Sequence, residues 1–339
     1  MLKKLAILLI LGVLLAGAGA FWFRQRMVAP YRGFVADEVF VELPTGLSVA
    51  GIASRLADAG VVPDPLTFRL AARLAGADRR LQAGEYRFAG PSSTFDVVWR
   101  LASGDVYTRP VTFPEGLTIP EMAAVFERTG IGRAADFEAA AGDVSLAASI
   151  DPRLRTLEGY LFPDTYPLPR RAGADAAVRA MVTRFGQVFD DKLRADAKAL
   201  GLTVHEAVTL ASLIEKETSR PEERPVVSAV YHNRLKRGML LQCDPTVIYA
   251  LMKSGKWTGN LRREDLQQNS SPYNTYRYPG LPPGPIAAPG RASLDAAVHP
   301  VDAPFLYFVS RNDGSHVFAA TLEEHNRNVA TWQIRYFRK

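Results

Sequence analysis

Residues 203–219 constrain this chain more than any other stretch. Thr203-Val-His-Glu206 is a capping box, in which a hydroxyl and a carboxylate satisfy backbone donors that the first helical turn leaves open. Beyond it, Val204, Val208, Leu210, Ala211, Leu213 and Ile214 put apolar groups almost all round the predicted helix. Such a helix is buried on most faces. It runs into Glu215-Lys216-Glu217-Thr218 and stops at Ser219-Arg220-Pro221. Glu215 and Glu217 therefore emerge from a core rather than from an open surface, and buried carboxylates are rare unless they are paired or functional. The stretch reads as the edge of an active site.

With 339 residues, 47% of them hydrophobic, the chain can bury a large core and is long enough for two domains. Lys plus Arg exceed Asp plus Glu by 41 to 35, which favours acidic partners without demanding nucleic acid. The basic residues are scattered and match no zinc-finger, helix-turn-helix or RNA-binding pattern, so no nucleic-acid partner is expected. One cysteine, Cys243, allows no internal disulfide. Five scattered histidines give no metal-ligand spacing and no phosphate loop is present, so no metal and no cofactor is expected.

At the N-terminus, Lys3-Lys4 precede 19 residues, Leu5 to Phe23, that carry no charge. As a helix they would span about 28 Å, the thickness of a bilayer core. Ala16-Gly-Ala-Gly-Ala20 would also suit a cleavable signal peptide, but Trp22, Phe23, Arg24 and Arg26 look like an interfacial belt and favour a retained single span. The expectation is a cytoplasmic leader and transmembrane helix over 1–26, a tether over 27–37, and the bulk of the chain outside the cytoplasm.

An internal echo follows. Val41-Glu-Leu-Pro44-Thr-Gly46-Leu-Ser48-Val49 and Val111-Thr-Phe-Pro114-Glu-Gly116-Leu-Thr118-Ile119 align at an offset of 70, and the match continues to Gly60 and Gly130. Each copy reads as a short strand, a Pro-x-Gly turn, a hydroxyl cap and a helix closed by Gly. Between them, Pro65–Ala75 and Thr94–Ala102 read as helices and Gly84–Phe88 as a strand. The fold class is α+β, with a small module over 38–108 and a larger mixed α+β catalytic domain over 109–339. The module's pattern resembles the LysM-like domain of membrane-anchored murein transglycosylases; a plain spacer is the other reading.

In the larger domain, Leu157-Glu158-Gly-Tyr-Leu-Phe-Pro-Asp-Thr-Tyr166 is aromatic and turn-rich, and Glu158 adds a polar group. Ala174–Leu200 reads as one long amphipathic helix. After the Glu-bearing helix, Pro225–Lys236 is helical, Met239–Gln242 suits a short strand, and Asp244-Pro245-Thr246 opens another helix with Asp244 as its cap. Asn233, Gln242 and Asp244 lie where the chain can return toward Glu217. The segment from Ser270 to Gly290 holds too much Pro and Gly for a regular element and is rich in tyrosine, so it reads as a shaped loop lining a groove. Tyr273, Asn274, Thr275 and Tyr276 offer rings and hydrogen-bonding groups suited to a sugar chain. A helix over Arg291–Val298, a hairpin turning at Asn312-Asp-Gly314, and a capping box at Thr321-Leu-Glu-Glu324 complete the chain.

Glu215-Lys-Glu217-Thr, Asn233-Arg-Leu, Leu241-Gln-Cys-Asp-Pro-Thr-Val-Ile-Tyr249, Tyr273-Asn-Thr-Tyr276, Gly280-Leu-Pro-Pro-Gly-Pro-Ile-Ala287 and His299-Pro300 resemble, in order, the motifs of the endolytic murein transglycosylase family. Cys243 departs from the small polar residue expected there. The resemblance implies a bacterial inner-membrane, single-pass protein with its catalytic part in the periplasm. It would cut the β-1,4 bond between N-acetylmuramic acid and N-acetylglucosamine inside glycan strands, leave 1,6-anhydro ends and help to end strand elongation. Its partners would be glycan strands, the membrane through residues 5–23, and peptidoglycan synthases. One carboxyl group can serve as acid and then as base, so a single Glu suffices. Helical periodicity does not choose between the two. The family's hydroxyl residue after the catalytic Glu selects Glu217, with Glu215 as accessory or alternative, and a hydrophobic setting should raise the pKa of Glu217. Two rival functions fit the same residues: a hydrolase of this bond that uses water, and a peptidoglycan-binding scaffold.

Overall fold

The computed structural model describes residues 2–170 and 172–335; within these, the side chains of residues 2–9 and of Ala16 are not described. The described chain forms two compact units, Met1–Arg109 with Pro167–Arg171, and Pro110–Tyr166 with Ala172–Lys339.

The first unit opens with helix α1 (Leu2–Val28). Part of the expected span, Leu5–Leu9 and Ala16, falls on the side chains outside the described residues. Among the described residues no single helix is long and apolar enough to cross a membrane. At the end of the expected span Arg26 pairs with Asp64 at 3.1 Å, and in the segment read as a tether Met27 is buried and Tyr31 bridges to Ser92. Strand β1 (Val39–Leu43), helices α2 (Val49–Asp58) and α3 (Pro65–Leu74), strand β2 (Gly84–Phe88) and helix α4 (Thr94–Ser103) follow. β1 and β2 are antiparallel with Val41 opposite Tyr86. Alternation along each strand turns Val41, Leu43, Tyr86 and Phe88 inward onto Leu56, Phe68, Val98 and Leu101. The unit thus packs helices on a two-stranded sheet, an α+β arrangement.

The chain passes between units within β3 (Thr108–Thr112) and again within β4 (Thr165–Pro169), with α5 (Ile119–Arg128) and α6 (Ala134–Ala140) between them. The echo is real in three dimensions. Ser48 and Thr118 cap helices of ten residues each, and Gly46 and Gly116 take φ of 83° and 77° in the turns before them. That left-handed geometry explains glycine at both positions.

The rest of the second unit is mainly helical. The expected long helix over 174–200 is instead two, α7 (Gly173–Val188) and α8 (Asp191–Ala199). Asp190 causes the break: its side chain accepts the N–H of Leu193 and starts a new helix, while Phe189 is buried at the corner. Then come α9 (Val204–Glu217), α10 (Arg224–Lys236), α11 (Asp244–Lys253), α12 (Arg263–Gln268) and α13 (Arg291–Val298). The antiparallel hairpin β5 (Tyr307–Ser310) and β6 (His316–Ala319) and helix α14 (Leu322–Val329) close the fold. α9 is its axis: every residue from Ala207 to Ile214 is buried, with α8, α10, α11 and α13 packed around it.

Met239–Gln242 is not a strand. Gln242 takes φ of 51°, and the Leu240 and Leu241 carbonyls are bound by the Arg234 guanidinium at 3.0 and 2.9 Å, leaving no ladder to join. The loop from Gly280 to Gly290 lies along α9. His205 bonds the Pro283 carbonyl at 2.9 Å, Ile286 N–H donates to Ser212 Oγ at 3.1 Å, and Gly290 N–H donates to Glu215 at 3.0 Å. A side chain at Gly290 would run into the Glu115 carboxylate, which is why the backbone can approach so closely.

Candidate active site

The capping box forms as expected: Thr203 Oγ accepts from the Glu206 N–H, and the Glu206 carboxylate accepts from the Thr203 N–H at 2.8 Å. From that fixed start, α9 delivers its two carboxylates to different places. Two residues along a helix are about 200° apart, so the pair cannot share one environment.

Glu215 is a partner in a buried ion pair. Arg224 donates to it at 3.1 Å, with only 9% and 6% of the two side chains exposed, and Gly290 N–H takes its other oxygen. Glu115 stands behind at 3.6 Å from the same guanidinium. Burial and the nearby Glu215 raise the pKa of Glu115, against the pull of Arg224.

Glu217 makes no such ion pair among the described residues, although Arg234 and His316 border the same cleft and the charge of His316 favours its ionised form. Glu217 Oε1 accepts a hydrogen bond from the Tyr231 hydroxyl at 2.8 Å, and the buried Cys243 thiol donates to it as well. Burial pushes its pKa above the usual carboxylate value; the bonds from Cys243 and Tyr231 pull it down, and the charge of Asp244 adds to the rise. The residue keeps part of its surface on a cleft of about 360 Å³, shared with Arg234, Gln242, Asp244, Tyr276, Phe308, His316 and His325.

The walls of this cleft are tied together. Thr218, after Glu217, donates its hydroxyl to Glu223 at 3.1 Å. Glu223 also accepts the His316 backbone N–H at 2.9 Å and His316 Nδ1–H at 2.7 Å. Burial would push the Glu223 pKa up, yet these bonds hold it below the usual range. Arg220 clamps the hairpin turn through the Gly314 and Asp313 carbonyls. Arg234 donates to the Leu306 carbonyl at 2.6 Å and to Gln242 Oε1 at 3.3 Å, and stacks over Tyr307.

Of the residues singled out from the sequence, Glu217, Gln242, Asp244 and Tyr276 come together here. Asp244 is not the cap of α11. Cys243 stands at that position, and the Asp244 carboxylate accepts from the Tyr276 hydroxyl instead. The others lie outside the cleft lining. Asn233 gives its amide to the Ala303 and Phe305 carbonyls, and fully buried Asn274 gives its own to Leu266 and Asn269. Thr275 is buried against Thr246 and the Cys243 N–H. Tyr273 packs on Tyr249, whose hydroxyl donates to buried Glu158; burial lifts the Glu158 pKa to about 7, against bonds from Tyr249 and the Ile119 N–H.

Tyr231, Arg234, Glu223, His316 and His325 were not anticipated. Tyr231 and Arg234 lie three apart on one face of α10, a polar pair in a buried helix, which is the sequence signal that could have found them. His316 and His325 had none, because His316 reaches the cleft from the hairpin and His325 from α14, both far along the chain from Glu217. Among the described residues no cluster of His, Cys, Asp and Glu is placed to hold a metal ion.

A family model described as the YceG-like family matches residues 41–331. The chain is 32% identical to the endolytic murein transglycosylase of Bacillus subtilis (strain 168), over 91% of this chain and 89% of that protein. It is 31% identical to the endolytic murein transglycosylase of Streptococcus pneumoniae serotype 2 (strain D39 / NCTC 7466), over 94% of this chain, which spans 63% of that longer relative. The crystal structure of a yceG-like protein from Listeria monocytogenes superposes with a TM-score of 0.58 at 30% identity, covering 86% of this chain and 98% of the other.

Proposed function

The chain belongs to the YceG-like family, and from that premise we propose that it is an endolytic murein transglycosylase in which Glu217 is the single acid and base. It cleaves the β-1,4 bond between N-acetylmuramic acid and N-acetylglucosamine within glycan strands. The observation that carries the assignment is the part-buried Glu217 carboxyl, bonded by Tyr231 rather than locked in an ion pair, with its pKa raised, facing the cleft where α9 ends.

A raised pKa favours the protonated form of Glu217 at the start. It gives that proton to the leaving glycosidic oxygen, and the resulting carboxylate takes the proton of the muramic C6 hydroxyl as that oxygen bonds to C1. The product is a 1,6-anhydro end and no water is consumed. Tyr231 and Cys243 orient the carboxyl and stabilise its charged form between the two transfers. Asp244 with Tyr276, Gln242, and His316 braced by Glu223 line the sugar path. Glu215, paired with Arg224, positions the end of the helix and takes no proton.

The catalytic unit works outside the cytoplasm, anchored through residues 5–23. Support comes from the uncharged run in α1 and from the exposure of its Leu11, Leu14, Leu15 and Trp22. The first unit acts as a LysM-like module or a spacer, and peptidoglycan synthases are the expected protein partners. Mass spectrometry of digested strands tests the reaction, because anhydro ends lack one water relative to reducing ends. Reducing ends alone would establish a hydrolase, and no cleavage would leave a binding scaffold.

A further inference from the structure

The opposite end of the catalytic helix borders a second and larger hollow. It measures about 550 Å³ and lies between residues 151–156, the first turn of α9, the end of α11 and the Tyr273 loop. His205 on its wall and Glu217 are twelve residues apart on α9, about 18 Å at 1.5 Å per residue. The hollow is therefore separate from the reacting bond.

One wall is apolar and rigid. Pro272, Tyr273 and Pro283 form it, and the Tyr273 ring is fixed against Tyr249 with centroids 5.0 Å apart. The rim is cationic: Arg153, Arg155 and Lys253 all border the space. The Lys253 ammonium sits 5.2 Å from the Tyr273 ring centre, a position a ring face favours. The acidic groups nearby are committed elsewhere. Glu206 is held in the capping box, and buried Asp151 accepts the Arg153 backbone N–H at 3.0 Å. Among the described residues the one ion pair these three cations make is the 3.9 Å approach of Arg153 to Asp151.

A glycan strand of N-acetylated sugars brings no charge to this rim, because the lactyl carboxyl of each muramic residue is spent in the amide to its peptide. The peptide itself carries free carboxylates and alanine methyl groups. That combination matches an apolar wall under exposed cations. We propose that the hollow binds the peptide stem of the strand being cut, its carboxylates on Arg155 and Lys253 and its methyl groups on Tyr273. The inference rests on murein being the substrate; it adds that stem-bearing strands are preferred.

The test uses the full chain and two measurements. Calorimetric titration with the synthetic stem L-Ala-γ-D-Glu-meso-diaminopimelyl-D-Ala-D-Ala at millimolar concentration reads binding without catalysis. Cleavage of stem-bearing strands, compared with strands stripped by an amidase and then methyl-esterified at the freed lactyl carboxyls, reads the preference. The doubly reversed variant Arg155→Glu/Lys253→Glu changes two exposed side chains, and its melting temperature checks folding. Peptide affinity and the ratio of stem-bearing to stripped cleavage should each fall at least about tenfold, as expected for losing a charge-assisted contact, while stripped-strand cleavage stays unchanged. Absence of peptide binding to the unaltered chain, or equal binding by the variant, overturns the proposal. A failure of the transglycosylase reading would show instead as missing anhydro ends, with the titration still deciding what the hollow binds.

Discussion

Glu217→Gln separates a working carboxyl from a structural one by moving rate and stability in opposite directions. The amide keeps the shape and can still accept from Tyr231, but it has no proton to transfer. Loss of general acid and base work costs at least about 10²-fold in rate, or about 2.7 kcal/mol of transition-state stabilisation. The stability sign follows from burial. A carboxyl whose folded pKa lies above its unfolded value near 4.5 opposes folding increasingly as pH rises from that value to the folded pKa, because the unfolded chain ionises freely and the folded one does not. Gln removes that opposition. The variant should therefore match the parent in melting temperature below about pH 4 and be the more stable of the two at neutral pH. Product release by mass spectrometry and thermal melts at several pH values give both readings. Retained formation of anhydro ends, or a variant less stable at neutral pH, would refute the reasoning, the second because it is the signature of a broken ion pair.

Glu215→Gln should behave in the contrary way: removing the buried partner of Arg224 is expected to cost about 2–3 kcal/mol by chemical denaturation, less than the roughly 3–5 kcal/mol of a pair with no second carboxylate, since Glu115 remains. Tyr231→Phe removes a bond that lowers the Glu217 pKa, so the high-pH limb of the rate profile should move upward; an unmoved limb would show that Tyr231 does not tune the acid. Asn274→Ala should lower stability by about 1–3 kcal/mol, because it removes the two bonds that a fully buried amide gives to the part-buried Leu266 and Asn269 carbonyls, and a mutant that melts normally would exclude that bracing role. Tyr276→Phe frees Asp244 and should reduce turnover while shifting the melting temperature by only a few degrees; unchanged turnover would remove the pair from the sugar path.

Much of the local structure was legible in the sequence. The Thr203 and Thr321 capping boxes, the Asn312-Asp-Gly turn and the doubled strand-turn-helix all appear where residue chemistry put them. Each depends on neighbours within a few positions. The errors have one source as well. Asp190 divides a periodic stretch by a single cap, and Gln242 leaves the extended region because Arg234 claims the carbonyls beside it.

What the sequence determined by itself is that a buried helix ends in two carboxylates, in an α+β chain whose motifs run in the order of one family. Which carboxylate faces the cleft was decided by the tertiary structure. Arg224 and Gly290 close on Glu215, whereas Tyr231 and Cys243 close on Glu217. Likewise, of four adjacent loop residues, Tyr276 reaches the cleft while Asn274 and Thr275 turn into the protein. Periodicity records how a segment divides its own faces, but a group's charge state and freedom depend on partners brought in from distant parts of the chain. Those partners meet it only when the chain has folded.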